Sequence, residues 1–101
     1  RVPTLRGHAE SLTLTFDADV DANEARELLS KAPNIIIVDN PAESEYPMPA
    51  ACVDQNETFV GRIRNDIYRK NVLNMFIVAD NLRVGAATNA VRIAQKWVEM
   101  Q

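Results

Sequence analysis

The spacing of apolar residues predicts four strands along this chain of 101 residues. Residues 11–16 alternate polar and apolar positions with period two, which predicts a half-buried strand. Residues 35–38 are β-branched and too few for a helix, so they predict a strand that is buried on both faces. Residues 58–64 and 72–79 predict two more strands, and the polar turn at 69–71 favours their antiparallel pairing.

Two other segments place apolar residues three and four positions apart, which is typical of an amphipathic helix. The first begins after Asp21, an N-cap carboxylate with Glu24 at the third helical position, and ends at Pro33. The second runs from about Gly85 to the end of the chain. The order β-α-β-β-β-α predicts an α+β fold with a mixed, largely antiparallel sheet and packed helices.

Residues 40–57 hold several prolines among acidic and small residues and predict the longest loop. Loops of this length are uncommon in compact domains unless they have a function. Cys52 lies in this loop among acidic neighbours, which raise the pKa of a thiol and disfavour a catalytic role. Arg62 and Arg64 alternate on one face of the third strand, where they either reach a partner or face water.

Composition narrows the class of protein. Hydrophobic residues make up 47% and charged residues 25% of the chain, as in ordinary globular domains, and the net charge of −3 argues against a nucleic-acid partner. The sequence has neither an apolar run long enough for a membrane span nor a signal-peptide pattern. A single cysteine suits a reducing compartment, so we expect a cytoplasmic protein with no metal site. The chain begins Arg-Val-Pro without methionine, and we therefore expect a piece of a longer polypeptide.

A few residues are candidates for chemistry. His8 is the only histidine and the natural proton-transfer group at neutral pH, although an exposed loop histidine is the alternative. Arg1 could bind a carboxylate through both arms of its guanidinium, or it could simply be solvated. Glu10 could hold the tautomer of His8 by accepting a hydrogen bond from its imidazole, or it could be a solvated charge. The small residues at 85–87 would let a ligand approach the backbone, or they pack tightly on the sheet.

Four segments of the chain, taken in order, resemble the C-terminal part of the aspartate-semialdehyde dehydrogenases. They are Arg-Val-Pro-Thr-Leu-Arg-Gly-His-Ala-Glu-Ser (1–11), Tyr-Pro-Met-Pro (46–49), Phe-Val-Gly-Arg-Ile-Arg (59–64), and Val-Ala-Asp-Asn-Leu-Arg (78–83) with Gly-Ala-Ala (85–87) and Asn-Ala-Val (89–91). Together they extend the resemblance over essentially the whole chain.

The resemblance implies an NADP-dependent oxidoreductase that converts β-aspartyl phosphate to aspartate semialdehyde and phosphate. This reaction lies on the route to lysine, methionine, threonine and diaminopimelate. In the family a cysteine attacks the acyl phosphate, and the thioester accepts hydride. His8 corresponds to the acid/base and Arg1 to the arginine that binds the substrate carboxylate. Asn81 falls where the related glyceraldehyde-phosphate dehydrogenases contact the nicotinamide carboxamide.

The resemblance also implies a division of the chain. Residues 1–83 would form the C-terminal portion of the catalytic and dimerisation domain of a homo-oligomer, either a dimer or a tetramer. Residues 84–101 would form a final helix that packs toward the nucleotide-binding domain. That domain, the nucleophile and the phosphate-binding residues are expected upstream of Arg1, so the chain alone should be inactive. Two departures from the family are Ala9, where a serine is usual, and Trp97, which would cover the absent neighbour.

Two alternatives remain. One is a fragment of an acetylglutamyl-phosphate reductase, although the histidine segment of that enzyme differs from Arg-Gly-His-Ala-Glu-Ser. The other is a non-catalytic dimerisation or interaction module that keeps the fold without the chemistry. Arg1 and His8 keep the spacing that the family shows, which argues against a module that has lost the chemistry.

Overall fold

The computed structural model describes residues 3–101. Within them, strands β1 (His8–Thr15), β2 (Ile35–Ile37), β3 (Thr58–Asn65) and β4 (Val72–Ala79) form one sheet in the order β1-β4-β3-β2. β4 pairs antiparallel with both β1 and β3, whereas β2 pairs parallel with β3. The helices are α1 (Ala22–Lys31), the short α2 (Pro49–Cys52) and α3 (Thr88–Glu99). The predicted α+β fold with a mixed, largely antiparallel sheet is confirmed.

Helix α1 covers one face of the sheet and forms the core with it. The Asp21 carboxylate caps the helix by accepting hydrogen bonds from the amides of Asn23 and Glu24, at 2.8 and 3.0 Å. The cap is therefore as predicted, and the helix ends before Pro33. The buried core consists of Ala22 from α1 and four residues of β3 and β4: Val60, Ile63, Leu73 and Met75.

The prediction that residues 35–38 are buried on both faces is wrong. β2 is an edge strand, with β3 on one side only among residues 3–101. Ile35 and Ile37 pack against the core beneath α1, but Ile36 points to the opposite face and is 40% exposed. A continuous run of apolar residues indicates burial on both faces only when helices cover both faces of the sheet. Here α1 covers one face, so the run did not indicate burial of Ile36.

A β-bulge interrupts the pairing of β3 with β4 between Gly61 and Arg64, although Arg62 and Arg64 are both exposed on either side of buried Ile63. The register passes from Gly61 opposite Phe76 to Arg64 opposite Asn74, so one extra residue is accommodated between them. Arg62 adopts a left-handed φ of 54°. Asp39 accepts hydrogen bonds from the backbone amides of Arg62 (2.7 Å) and Ile63 (3.3 Å), which satisfies donors that the bulge removes from the ladder.

The predicted loop 40–57 contains a 3-10 turn at Pro41–Glu43 as well as α2. Part of it packs closely against the sheet at Gly61. A Cβ at this position would lie 2.0 Å from the Val38 carbonyl oxygen and 2.6 Å from Cδ of Pro47. The absence of a side chain at Gly61 thus makes room for buried Pro47. The loop is therefore packed structure along part of its length.

Helix α3 follows a π-helical turn at Arg83–Ala87 and has no buried residue. Its large apolar side chains Val91, Ile93, Trp97 and Val98 are more than half exposed, and so is Met100 at its C-cap. None of the helices described within residues 3–101 is both long and apolar enough to cross a membrane.

Candidate active site

His8 is the first residue of β1 and pairs with Ala79, the last residue of β4. Its side chain is exposed and lies in an open cavity of about 610 Å³ lined by residues 4–9 and by Asn81. The preceding residue, Gly7, has a φ of 94°, a left-handed conformation that strongly favours glycine. The chain therefore turns sharply just before His8 and presents the imidazole at the edge of the sheet.

Asp80 organises the backbone beneath this cavity. Its side chain has no exposed surface, and it accepts hydrogen bonds from Nε and Nη2 of Arg6 at 3.2 and 2.7 Å. It also accepts from the amides of Asp54 (2.8 Å) and Leu82 (3.0 Å). A buried carboxylate is costly unless it is paired and hydrogen-bonded, and these four donors meet that requirement.

The pKa values follow from these contacts. Burial alone would raise the pKa of Asp80, but the Asp54 amide and the Arg6 guanidinium outweigh it, so the pKa lies below the ordinary value. The same hydrogen bond has the opposite effect on its donor, because it raises the pKa of the Arg6 guanidinium. The pair is thus ionised at neutral pH, and the Arg6 side chain is engaged with protein carboxylates.

Asn81 contacts the same segment from the next position. Its Oδ1 accepts a hydrogen bond of 2.9 Å from the Gly7 amide. Its Nδ2 donates none of the hydrogen bonds found within residues 3–101, although Asn81 lines the cavity. The side chain can therefore hold the Gly7 backbone and still offer a donor to a bound molecule.

A second cluster, centred on Asn56, ties the start of α3 to the loop after α2. Asn56 Oδ1 accepts from Arg83 (3.2 Å) and from the Thr88 hydroxyl (3.1 Å), while its carbonyl oxygen accepts from Arg92 at 2.6 Å. Arg83 also approaches Asp54 at 3.4 Å. The orientation of α3 and the environment of Asp80 are therefore connected through residues 54–56.

The predicted site residues are only partly brought together. His8 and Asn81 line one cavity, and Glu10 lies two residues along β1 from His8, so their side chains point to the same face. His8 and Glu10 share no hydrogen bond in the part of the chain that the structure describes. Arg1 lies outside the described residues.

Cys52 is fully packed at the end of α2, with 1% of its surface exposed. Burial raises its pKa, and a hydrogen bond with the Met48 backbone only partly offsets this effect. A buried thiol with a raised pKa is a poor nucleophile.

The family model described as "Semialdehyde dehydrogenase, dimerisation domain" matches residues 1–84. The chain belongs to this family. It is 54% identical over 101 residues to the aspartate-semialdehyde dehydrogenase of Campylobacter jejuni, and 48% identical over 99 residues to that of Aquifex aeolicus. The match covers 100% and 98% of this chain, respectively, but only 29% of either relative.

A solved structure agrees with this family assignment. The fold matches aspartate semialdehyde dehydrogenase II of Vibrio cholerae, described as complexed with ASA, with a TM-score of 0.89 and 36% identity over 98% of this chain and 29% of that one. The predicted resemblance to the aspartate-semialdehyde dehydrogenases is thus confirmed.

Sequence reasoning missed Arg6, Asp54 and Asp80. Arg6 and Asp80 are 74 positions apart, so no local spacing reveals that they form an ion pair. One signal was present, because Asp80 follows an almost continuously apolar strand, where a charge needs a partner.

Proposed function

We propose that this chain serves as the C-terminal part of an NADP-dependent aspartate-semialdehyde dehydrogenase, in which His8 is the acid/base. The observation that carries this role is the position of His8. An exposed imidazole stands at the edge of an open cavity on a backbone that is fixed at Gly7, while the carboxylates and guanidinium below it are paired with one another. The imidazole is therefore accessible for proton transfer.

The substrates proposed are β-aspartyl phosphate in one direction, and aspartate semialdehyde with phosphate in the other. Arg1 would bind the substrate carboxylate, and Glu10 would orient His8. Bound NADP would supply or accept hydride, and the Nδ2 of Asn81, which donates no hydrogen bond within residues 3–101, is a suitable donor for the nicotinamide carboxamide. The remaining cofactor contacts and the nucleophile would come from the part of the enzyme upstream of Arg1. We place the enzyme in the cytoplasm and in the synthesis of amino acids of the aspartate family.

The experiment is replacement of His8 by alanine in the full-length enzyme. We expect kcat to fall by about 10²- to 10⁴-fold, with a smaller effect on substrate binding, because a positioned acid/base contributes that much to a rate. A variant that kept the wild-type kcat between about pH 6 and 9 would overturn the assignment.

We also propose that the chain self-associates through the face of the sheet that α1 leaves free. The dimerisation description of the family model supports this, and so does the composition of the face. By register it carries Phe59 and Phe76, with Thr13 and Asn74 beside them. Phe76→Glu would place a charge in such an interface and should dissociate it in sedimentation, whereas Tyr68→Glu, in the exposed turn before β4, should not.

A further inference from the structure

We infer that the Arg6–Asp80 ion pair positions His8, so that Arg6 and Asp80 are positioning residues for the reaction. This inference rests on the proposed role of His8. Arg6 lies two residues before His8 and is gripped by a fully buried carboxylate through two hydrogen bonds of 2.7 and 3.2 Å. Two parallel contacts fix the direction of a guanidinium as well as its distance.

The backbone between Arg6 and His8 leaves little freedom. Gly7 donates its amide to Asn81, which is adjacent to Asp80 in sequence, and a Cβ on Gly7 would lie 3.3 Å from Cβ of Pro49. His8 itself enters the sheet opposite Ala79. The backbone from Arg6 to His8 is therefore held by consecutive anchors, all of which lie at the end of β4 or against it, and this sets the point from which the imidazole projects.

Asp80 has a fixed position because it also accepts from two backbone amides, those of Asp54 and Leu82. Arg6 is thereby joined to the turn that leads into α3. Loss of the ion pair would let the segment before His8 move. The imidazole would still be present and chemically unchanged, but its position would no longer be fixed. Misplacement of a reacting group by about 1 Å costs on the order of 10²-fold in rate.

The chain offers a matched control in the pair Arg26–Asp39. Its Nη2–Oδ2 distance is 2.7 Å, and the side chains are 30% and 2% exposed, compared with 31% and 0% for Arg6 and Asp80. Asp39 also keeps two backbone amides as donors, those of Arg62 and Ile63. Each arginine has a further partner, Asp54 Oδ1 at 3.0 Å for Arg6 and the Ile63 carbonyl oxygen at 2.9 Å for Arg26. Arg6→Met and Arg26→Met therefore each remove the cationic partner of a buried carboxylate, but only the first contact borders His8.

The test compares both variants in the full-length enzyme. For Arg6→Met we expect kcat to fall by about 10²-fold with KM changed by less than about threefold, and the Gly7 amide to exchange at least about tenfold faster. Arg26→Met should lower stability to a similar extent, yet leave kcat within about twofold and Gly7 exchange unchanged. Adding Asp80→Asn to Arg6→Met should lower kcat by less than the product of the two single effects, because the two changes share the Arg6–Asp80 contact while Asp80→Asn also removes an acceptor from the Asp54 or Leu82 amide.

Equal loss of kcat in Arg6→Met and Arg26→Met, or unchanged Gly7 exchange in Arg6→Met, would overturn the inference. If Arg6→Met does not fold, Arg6→Lys decides instead. It keeps the charge and loses the fork, and it should lower kcat by a smaller factor; a wild-type kcat and Gly7 exchange would again overturn the inference. A full kcat in His8→Ala would refute the proposed function alone, since Gly7 exchange reports positioning without any turnover.

Discussion

Replacement of Gly61 by alanine should greatly lower the free energy of unfolding of this domain. A Cβ would lie 2.0 Å from the Val38 carbonyl oxygen, whereas real Cβ atoms essentially never come within 3.0 Å of another heavy atom. The carbonyl would have to retreat by about 1 Å, but the Val38 amide is bonded to the Val60 carbonyl oxygen at 2.9 Å and holds β2 to β3. The backbone of Gly61 is not left-handed, so the penalty comes from contact alone.

The cost is set by the type of atom that must move. Overpacking against side chains typically costs about 1–3 kcal/mol, and displacement of a strand backbone belongs at or above the upper end, so we expect about 3 kcal/mol or more. A domain of this size loses about 4–8 °C in Tm per kcal/mol, which gives a fall of roughly 12–24 °C. Thermal and urea unfolding, followed by circular dichroism, would measure it.

Gly85 provides the control, because a Cβ there meets nothing within 4 Å. Gly85→Ala lies in the π-helical turn and should be neutral or raise stability by up to about 1 kcal/mol. Adding Pro47→Ala to Gly61→Ala should not restore stability, since the nearest obstacle is a backbone oxygen. A Gly61→Ala Tm within a few degrees of the unchanged chain would refute the close approach of the Val38 carbonyl oxygen to Gly61.

Three further outcomes are expected. The ionised forms of Asp66 and Asp80, whose pKa values are lowered by hydrogen bonds, contribute stability that is present above about pH 4 and is lost as pH falls through their folded pKa values. Asp66→Asn should therefore reduce the acid-induced loss seen in urea unfolding, and an identical loss would contradict this. Trp97, which is 65% exposed, should be quenched readily by acrylamide in this chain and much less in the full-length enzyme, where equal quenching would show that nothing covers α3. Cys52 should react with a thiol reagent far more slowly in the folded chain than in urea, and equal rates would show that it is accessible.

Local signals predicted local structure well. The cap at Asp21 and the end of α1 before Pro33 depend on atoms within a few residues, so they are readable from sequence. The hairpin of β3 and β4 was also predictable, because the polar turn between two apolar runs is short. The start of β1 at His8 was not, since Ala9 is out of phase with the apolar positions Leu12 and Leu14, and residues 8–10 extend the strand by pairing with β4.

The features that could not be predicted from sequence depend on contacts between residues that are distant along the chain. The exposure of Ile36 follows from the place of β2 at the sheet edge, and the bulge at Arg62 follows from Asp39, which lies 23 positions earlier. At the candidate site, family resemblance pointed to His8 and Asn81, whose roles stay a prediction. The contacts that hold them arise from packing between Arg6 and Asp80 and carry no motif of their own.

The pairing of β1 with β4 imposes an order on assembly during translation. β3 and β4 are neighbours in sequence and can form a hairpin early, because closing a short loop costs little entropy. Arg6 leaves the ribosome 74 residues before Asp80, a delay of roughly 4–15 s at typical elongation rates. Among residues 3–101, β1 has no partner strand until β4 is synthesised, and Arg6 has no buried carboxylate to bind until Asp80 follows. A nascent chain that stalls before Val72 should therefore expose an unpaired strand to chaperones and aggregation, and the contacts that hold Arg6 form only after Asp80 has been synthesised.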